Sequence, residues 1–255
     1  MNVRPKNIVV IGGATGIGLA TVKLLLQNNV EHVIIASRNP SKLHNVQKEI
    51  NDERVLVEAF DISLVSKHNE FIEKINSRIN TYVDGVIISS GLNFDGGNWK
   101  GFNISETDYD RIMDTNLKGV FFLIRNCANY MHARKIKGNI CVVSSISAHR
   151  DMLSVYQISK NAISGIVHAY GKYLCERGII LNGVEPGTTE GGMLGGLGKY
   201  TDGIRSGKPW NDNSIRRVIR PEEIAEIICF LISDLGEVMS GTCLLAGGGC
   251  KTISR

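Results

Sequence analysis

Tyr156 and Lys160 are the two residues whose types and spacing point most directly to chemistry. They stand four positions apart, so on a helix they share one face and the lysine ammonium can approach the tyrosine phenol. A free tyrosine, with a pKa of about 10, exchanges protons poorly at neutral pH. A nearby positive charge lowers that pKa and makes the phenol a better acid or base. The spacing therefore predicts proton-transfer chemistry, although it is also typical of a solvated helix face.

A glycine-rich turn near the N-terminus predicts a nucleotide site. The run Gly12-Gly13-Ala14-Thr15-Gly16-Ile17-Gly18 follows a short apolar strand and begins an amphipathic stretch. Glycines allow the backbone to approach a ligand closely, and the free N–H groups at a helix start bind a pyrophosphate. The spacing differs from the G-x-G-x-x-G fingerprint, but the strand–turn–helix context is the one that a dinucleotide site requires. The expected phosphate-binding residues are Gly12, Thr15, Gly16, Ile17 and Gly18.

The end of the second predicted strand indicates which dinucleotide is bound. An acidic side chain there hydrogen-bonds the adenosine ribose of NAD and repels the 2′-phosphate of NADP. This strand ends in Ser37 and Arg38, which can bind a phosphate through a hydroxyl and a planar guanidinium. We therefore expect NADP(H), with NAD(H) possible if Arg38 is only a solvated surface residue. Beyond the third strand, Asp61 and Ile62 are candidates for the adenine site, and Asp61 could equally cap the next helix.

Short β-branched runs alternate with longer amphipathic stretches, which predicts an α/β fold with a parallel sheet wrapped by helices on both faces. About seven strands are expected, at 7–11, 32–36, 54–59, 85–89, 139–143, 179–184 and 242–245. Six helices are expected, at 17–27, 40–50, 65–79, 106–133, 155–175 and 221–232. This alternation is typical of a Rossmann-type doubly wound sheet. Residues 188–220 contain seven glycines without clear periodicity, and we expect a substrate lid there.

Composition narrows the class of protein further. The 255 residues are 43% hydrophobic and contain no linker-like stretch, so one domain over residues 1–255 is expected. The net charge of +4 includes no concentrated basic tract, which argues against nucleic acid or a membrane surface as a partner. No signal-peptide-like or membrane-spanning apolar run is present. The six cysteines show no C-x-x-C pairing, which favours a reducing cytoplasm and no metal site.

Taken together, these residues resemble the short-chain dehydrogenase/reductase family over essentially the full chain, most closely its 3-oxoacyl-(acyl-carrier-protein) reductase-like members. The other matching positions are Asn116, Ser145, Pro186-Gly187, the 220–225 segment Arg-Pro-Glu-Glu-Ile-Ala, and Gly247-Gly248. The resemblance implies that Tyr156 transfers the proton and that Lys160 lowers its pKa and binds the nicotinamide ribose. It implies that Ser145 holds the substrate oxygen and that Asn116 anchors a water linking Lys160 to solvent. The cofactor supplies the hydride.

The same resemblance extends the cofactor site and exposes departures from the family pattern. The added cofactor contacts are Ser90, Gly91, Tyr156, Lys160, Pro186, Gly187 and Thr189. Gly191 stands where the family often has a carboxamide-binding threonine, so Thr188 or Thr189 would substitute. Ser145 precedes Tyr156 by 11 residues, fewer than usual, which leaves Ser144 and Ser147 as alternative hydroxyls and indicates an unusual pocket. Glu185, next to Pro186, is an atypical carboxylate near the nicotinamide end.

The expected function is an NADP(H)-dependent oxidoreductase that interconverts a ketone and a secondary alcohol, on a specialised small-molecule substrate. The alternative is a 3-oxoacyl-(acyl-carrier-protein) reductase of fatty-acid or polyketide synthesis, whose acidic carrier would meet Arg134, Lys135, Lys137 and Arg177. Between residues 190 and 220, six basic residues stand against three acidic ones, which favours an anionic substrate. A non-catalytic nucleotide-binding redox sensor is a minor alternative. A cytoplasmic homo-oligomer, tetramer or dimer, is expected.

Overall fold

The computed structural model describes residues 2–93, 104–149, 154–191, 204–205, 208–209 and 213–250. The strands are β1 (Asn7–Ile11), β2 (His32–Ser37), β3 (Val55–Ala59), β4 (Gly85–Ile88), β5 (Asn139–Val143), β6 (Ile180–Pro186), β7 (Ile204–Arg205), β8 (Lys208–Pro209) and β9 (Cys243–Ala246). Seven of them form one parallel sheet in the order β3-β2-β1-β4-β5-β6-β9. β7 and β8 pair separately as a short antiparallel hairpin.

Helices cover both faces of this sheet. They are α1 (Gly16–Leu26), α2 (Pro40–Ile50), α3 (His68–Ile79), α4 (Glu106–Met113), α5 (Gly119–Ala133), α6 (Val155–Cys175), α7 (Pro221–Leu231) and α8 (Asp234–Glu237). α3, α5 and α6 bury apolar side chains on one face of the sheet, and α1, α2 and α7 do so on the other. The predicted Rossmann-type doubly wound sheet is thus confirmed, whereas one domain over residues 1–255 stays a prediction.

The central strand β1 shows why the sequence adopts this arrangement. Val9 and Ile11 belong to the apolar cluster on one face, whereas Ile8 and Val10 belong to the cluster on the other. Successive side chains of a strand point to opposite faces, so a strand covered on both sides must be apolar throughout. The burial of all five residues from Asn7 to Ile11 fits this requirement.

The strand order creates a crevice at the carboxyl end of β1. The chain runs from β1 outward to β2 and β3, then returns to the opposite side of β1 as β4. In open α/β sheets, ligands bind where the strand order reverses in this way. Two hydrogen bonds fix the edges of the crevice, from Gly12 N to Ala36 O at 2.8 Å and from Ser89 N to Ile11 O at 2.8 Å.

The predicted helix over residues 106–133 is present with these bounds, but its middle is a π-helical turn that was not predicted from the sequence. α4 and α5 are separated by a π-helical segment, Asp114–Lys118, which contains Asn116. Directly after it, a Cβ at Gly119 would lie against the main chain of Ile62, so the helix approaches that loop closely. A π-helical turn holds extra chain within a helix and occurs often at functional sites. Hydrophobic periodicity does not reveal such a local change because the apolar face continues on both sides.

The stretch from residue 188 to 220 is closed at its base. Glu190 N donates to Ile219 O at 2.9 Å, and Ile219 N donates to Thr188 O at 3.0 Å. These bonds form a parallel bridge between Thr189 and Ile219. Most of the predicted lid, including residues 192–203, lies outside the described residues. In the part of the chain that the structure describes, no helix is long and apolar enough to span a membrane.

Candidate active site

The glycine-rich turn forms a cradle between β1 and α1. Gly12 and Gly16 have positive φ angles of 81° and 52°, which favour glycine. A Cβ at Gly12 would lie 2.8 Å from Ser90 N, and one at Gly18 would overlap the carbonyl group of Gly12. The side chain of Thr15, the N-cap residue of α1, makes no capping hydrogen bond. The first N–H groups of α1 are therefore left to a ligand, as a pyrophosphate requires.

The end of β2 supplies positive charge to the same cleft. Arg38 and Lys42 are exposed and line it, together with Ser37. The hydroxyl oxygen of Ser37 is buried without a hydrogen-bond partner, which is costly unless a ligand supplies one. The side chain of Asn39 caps α2 by accepting from Lys42 N at 3.0 Å. Sequence reasoning missed Lys42, although its place in the first turn of α2, four residues after Arg38, was a usable signal.

Asp61, which was expected to contact the adenine, is not among the residues that line the cleft. One carboxylate oxygen of Asp61 accepts from Ser63 N at 2.9 Å and from Ser63 Oγ at 2.7 Å. Its neighbours Phe60 and Ile62 line the cleft instead. The carboxylate thus stabilises the turn before α3, which matches the alternative interpretation of Asp61 as a local capping residue.

Tyr156 lies in the first turn of α6 and meets Ser145 from the end of β5. The start of α6 is fixed by Ser154, whose hydroxyl accepts from Gln157 N at 3.1 Å. The phenol of Tyr156 shares a hydrogen bond with the hydroxyl of Ser145. The Ser145 oxygen also accepts from Ser147 N at 3.1 Å, which orients it towards the cleft. The two hydroxyl groups expected to hold a substrate oxygen are therefore adjacent.

Lys160 lies one helical turn after Tyr156 and is buried, with 3% of its surface exposed. Its Nζ donates to Val143 O at 2.9 Å and lies 5.7 Å from the centroid of the Tyr156 ring. Burial lowers the pKa of Lys160 to about 8, because a charged ammonium is poorly solvated there. The lysine is thus held close to the tyrosine but hydrogen-bonded to the main chain of β5.

In this structure burial dominates the pKa of Tyr156, and the lowering by Lys160 that the resemblance implies stays a prediction. Burial raises the pKa of the Tyr156 phenol above its ordinary value, and the hydrogen bond from Ser145 opposes that rise only in part. Desolvation disfavours the phenolate, and the ammonium of Lys160 is directed to Val143 O rather than to the phenol oxygen. At neutral pH the phenol therefore keeps its proton and can donate it.

Asn116 is 1% exposed and serves as a brace between elements. Its Oδ1 accepts from Leu92 N at 2.7 Å, and its Nδ2 donates to Leu92 O at 2.9 Å and to Ser159 Oγ at 3.2 Å. The amide thereby joins the π-helical segment to the chain after β4 and to α6. Since Ser159 precedes Lys160 on α6, this contact links Asn116 to the helix that carries Lys160.

The hydrogen bonds of Ser144, Ser145 and Ser147 indicate which of these three serines faces Tyr156. Ser144 is buried and turned away from Tyr156, because its hydroxyl donates to Lys160 O at 3.0 Å and lies 2.9 Å from Ser164 Oγ. Ser147 contributes its main-chain N–H to Ser145. Ser145 is therefore the serine that the structure places beside the tyrosine.

One cleft of about 960 Å³ joins these groups. The predicted site residues that line it are Gly12, Thr15, Gly16, Ile17, Ser37, Arg38, Ile62, Ser90, Gly91, Ser145, Tyr156, Lys160, Pro186, Gly187 and Thr189. The remaining predicted site residues, Gly18, Asn116 and Asp61, are not among the residues that line it. Thr188, the alternative carboxamide ligand, also lines the cleft, and Thr189 Oγ1 donates to Gly187 O at 3.0 Å. Among the described residues, no group of three or more metal-ligating side chains could hold a metal ion.

A phosphate cradle, a cationic rim and a Tyr/Lys pair in one cleft of a doubly wound sheet define a dinucleotide-dependent oxidoreductase. The family model described as short chain dehydrogenase matches residues 6–200. The chain belongs to this family, whose members are oxidoreductases that bind a nicotinamide cofactor. The resemblance drawn from the sequence is thus confirmed.

Known relatives cover nearly the whole chain. L-rhamnose 1-dehydrogenase (NADP(+)) of Thermoplasma acidophilum is 26% identical over 98% of this chain and 97% of its own. The 3-oxoacyl-(acyl-carrier-protein) reductase FabG of Thermotoga maritima is 28% identical over 98% of this chain and 99% of its own. The solved structure of ElxO with NADP bound has a TM-score of 0.82 and 23% identity, over 96% of this chain and 98% of that one. The similarity to the ElxO structure shows that the two chains share a fold.

Proposed function

We propose that this protein is an NADP(H)-dependent reductase or dehydrogenase that interconverts a ketone and a secondary alcohol. The observation that carries the proposal is the arrangement of Ser145, Tyr156 and Lys160 at one end of a cleft. The other end of this cleft presents a glycine cradle and two cationic side chains. A cleft of about 960 Å³ that both sets of residues line has room for a dinucleotide.

Each catalytic side chain has a distinct task in the proposed reaction. When bound, the cofactor supplies or accepts the hydride at the substrate carbon. Tyr156 donates its phenolic proton to the carbonyl oxygen during reduction, and Ser145 holds the same oxygen by hydrogen bonding. Lys160 places positive charge beside the phenolate that forms, which stabilises it more than the neutral phenol. In the oxidative direction, the phenolate of Tyr156 removes the proton from the alcohol.

NADP(H) is the proposed cofactor because the rim at the end of β2 is cationic. Arg38 and Lys42 line the cleft there together with Ser37, whose buried hydroxyl has no hydrogen-bond partner. Two cations and a hydroxyl suit a 2′-phosphate, whereas a free ribose hydroxyl pair would leave the cations without a partner. The name of the Thermoplasma relative, which specifies NADP(+), agrees with this choice.

The substrate is proposed to be a specialised small ketone or alcohol, with a carrier-bound 3-oxoacyl group as the second candidate. The relatives support both classes, since one is named for a free sugar and another for an acyl-carrier-protein substrate. The short segment between Ser145 and Tyr156 favours a substrate pocket that differs from the usual family pocket. A cytoplasmic homo-oligomer without nucleic-acid or membrane partners remains part of the proposal.

A substrate screen tests the proposal directly. The purified protein is assayed by NADPH absorbance against free ketones, keto sugars and a 3-oxoacyl thioester, and in reverse with NADP⁺ and aldoses or polyols. The same panel is run with NADH. We expect turnover of at least one compound with a preference for NADPH. Turnover confined to the carrier-bound thioester would select the second candidate, and binding of NADPH without turnover across the panel would contradict the proposed activity.

A further inference from the structure

A buried carboxylate lies at the carboxyl end of β6, one residue before the Pro186-Gly187 turn that lines the cleft. Glu185 is 2% exposed. One of its oxygens accepts from Ser164 Oγ at 2.6 Å, and the other lies 2.7 Å from His149 Nε2. Both distances are typical of strong hydrogen bonds to an ionised carboxylate. Glu185 therefore binds two groups from two different elements.

The first partner connects Glu185 to the helix that carries the tyrosine and lysine. Ser164 lies four residues after Lys160 on α6, and its hydroxyl proton goes to the carboxylate, since that contact is the shortest. The Ser144 hydroxyl donates to Lys160 O at 3.0 Å, and its oxygen lies 2.9 Å from Ser164 Oγ. A chain of polar contacts thus runs from Glu185 to the main chain of Lys160 and to the neighbour of Ser145.

The second partner connects Glu185 to the turn that follows Ser145. His149 ends a short 3₁₀ helix, Ile146–His149, which begins directly after that serine. The same turn is held from α6, because Asn161 Nδ2 donates to Ala148 O at 2.7 Å. The position of the turn relative to β6 therefore depends on the pair of His149 and Glu185, and its position relative to α6 depends on Asn161.

The strand itself does not require a charge at this position. The pairing of β6 with β9 uses main-chain groups, with Glu185 opposite Leu245. Burying a carboxylate is costly, and a neutral side chain of the same shape often gives an equally stable protein. The carboxylate nevertheless contacts α6, which carries Lys160, and the turn that follows Ser145. It also lies directly before the Pro186-Gly187 turn. Its placement is thus explained by what it holds together rather than by strand stability.

We infer that Glu185 is a positioning residue, which sets Ser145 and Lys160 relative to the Pro186-Gly187 turn during the proposed reaction. This inference rests on the proposed ketone–alcohol oxidoreductase function. Glu185 acts through its neighbours and does not itself touch the reacting atoms. Small displacements of reacting groups reduce turnover strongly, and they do so without removing binding contacts.

The substitution Glu185→Gln tests this role because glutamine keeps the shape and removes the charge. We expect kcat to fall about tenfold to hundredfold, while KM for NADPH and for the ketone stays within about twofold. The temperature of unfolding should not fall, since glutamine keeps the shape of the side chain and can still hydrogen-bond to Ser164 and His149. Ser164→Ala and His149→Gln should each reproduce part of the loss in kcat.

The double variant and a matched control make the test specific. Because Ser164 acts through Glu185, the variant with both Glu185→Gln and Ser164→Ala should lose no more activity than Glu185→Gln alone. Glu58→Gln is the control, since Glu58 also lies on a strand and binds two side chains, Lys74 and Arg78, but on the far edge of the sheet. Its kcat should equal that of the wild type.

Three results would overturn the inference. The first is a Glu185→Gln variant with wild-type kcat, and the second is a loss of activity that follows a lower unfolding temperature. The third is additive losses in the double variant, which would mean that Ser164 and Glu185 act separately. In all three cases the wild type still reduces a ketone, so the proposed function stands. A wild type that reduces none would overturn the proposed function and this inference together.

Discussion

At the nucleotide end of the cleft, the groups that face a ligand are main-chain amides and exposed side chains from residues 12 to 42. At the catalytic end they come from β5, α6 and β6, and Ser145 and Lys160 are buried. Ligand binding at the first end depends on the shape of the main chain and on charged side chains that are exposed to solvent. The second depends on polar side chains in an apolar surrounding, where each hydrogen bond and each charge has a larger effect.

This contrast teaches that the two ends should respond differently to substitution. At the catalytic end, the phenol oxygen of Tyr156 carries the proton of the proposed reaction. Loss of that oxygen should therefore lower the rate and leave cofactor binding unchanged. At the nucleotide end, solvent screens the charges, so a substitution changes cofactor preference by a moderate factor.

The largest effect is expected for Tyr156→Phe at the catalytic end. The ring keeps its packing, but the proton donor is lost, and acid–base catalysis is worth about 10²–10⁴-fold in rate. We expect kcat to fall by that factor while NADPH affinity, measured by fluorescence titration, is retained. A phenylalanine variant that keeps half the wild-type rate would show that another group donates the proton.

Lys160 should make folding stability depend on pH. Burial lowers its pKa from the ordinary value of 10.5 to about 8, so between these values the unfolded chain holds a proton that the folded chain lacks. The stability that this group contributes therefore rises with pH across this range. Relative to Lys160→Met, the wild type should gain on the order of 3 kcal/mol from neutral pH to above the unfolded pKa.

Denaturant unfolding of both proteins across this pH range measures the effect. The hydrogen bond to Val143 O is lost in the methionine variant at every pH, so it cancels from the pH-dependent difference. A constant difference in the free energy of unfolding between the two proteins would mean that Lys160 keeps an ordinary pKa in the folded state.

A moderate effect is expected for Arg38→Asp at the nucleotide end. The carboxylate repels a 2′-phosphate and accepts from a free ribose hydroxyl. Hydrogen bonds to charged groups are worth about 1.5–3 kcal/mol, so KM for NADPH should rise about tenfold to a hundredfold while that for NADH falls. Lys48→Asp, in the last turn of the same helix α2, is the charge-matched control. A wild type that already prefers NADH would contradict the assignment of this rim.

The smallest effect is expected away from both ends, at Glu223 in the first turn of α7. The guanidinium of Arg217 holds the pKa of Glu223 down to about 2, and Arg220 N adds a hydrogen bond. The stability that this carboxylate contributes is present above its unfolded pKa and is lost as the pH falls through its folded pKa. Because the pair is exposed, Glu223→Gln should cost about 1 kcal/mol or less in chemical denaturation at neutral pH. A change in kcat would show an unexpected link to the cleft.

The nucleotide end was the more predictable of the two from sequence, and the contrast explains why. The glycine turn and Arg38 follow strands whose central residues are all apolar, so their positions are local consequences of the chain. At the catalytic end, the spacing of Tyr156 and Lys160 on one helix face was equally local. Even Lys42, which was missed, lies within one helical turn of Arg38.

Contacts between distant segments could not be predicted in the same way. Glu185 was recognised as atypical, but its partners His149 and Ser164 lie 36 and 21 residues away, and nothing in their spacing links them. The direction of the Lys160 ammonium depends on which carbonyl of β5 lies nearest, which only the packed structure decides. For this reason, the sequence indicated the Tyr156 and Lys160 pair on one helix face but not the hydrogen bond from Lys160 Nζ to Val143 O.

The bridge between Thr189 and Ile219 has a consequence for how substrate range can evolve. The chain leaves the sheet after β6 and pairs with itself at Thr189 and Ile219 before α7, so the residues between them form a segment whose two ends are already joined. The entropy of closing such a loop grows only slowly with its length. Insertions, deletions and exchanges between these two points can therefore accumulate with little effect on the sheet or on the acid–base residues. Relatives with different substrates can thus share the same acid–base residues and differ in the segment between Thr189 and Ile219.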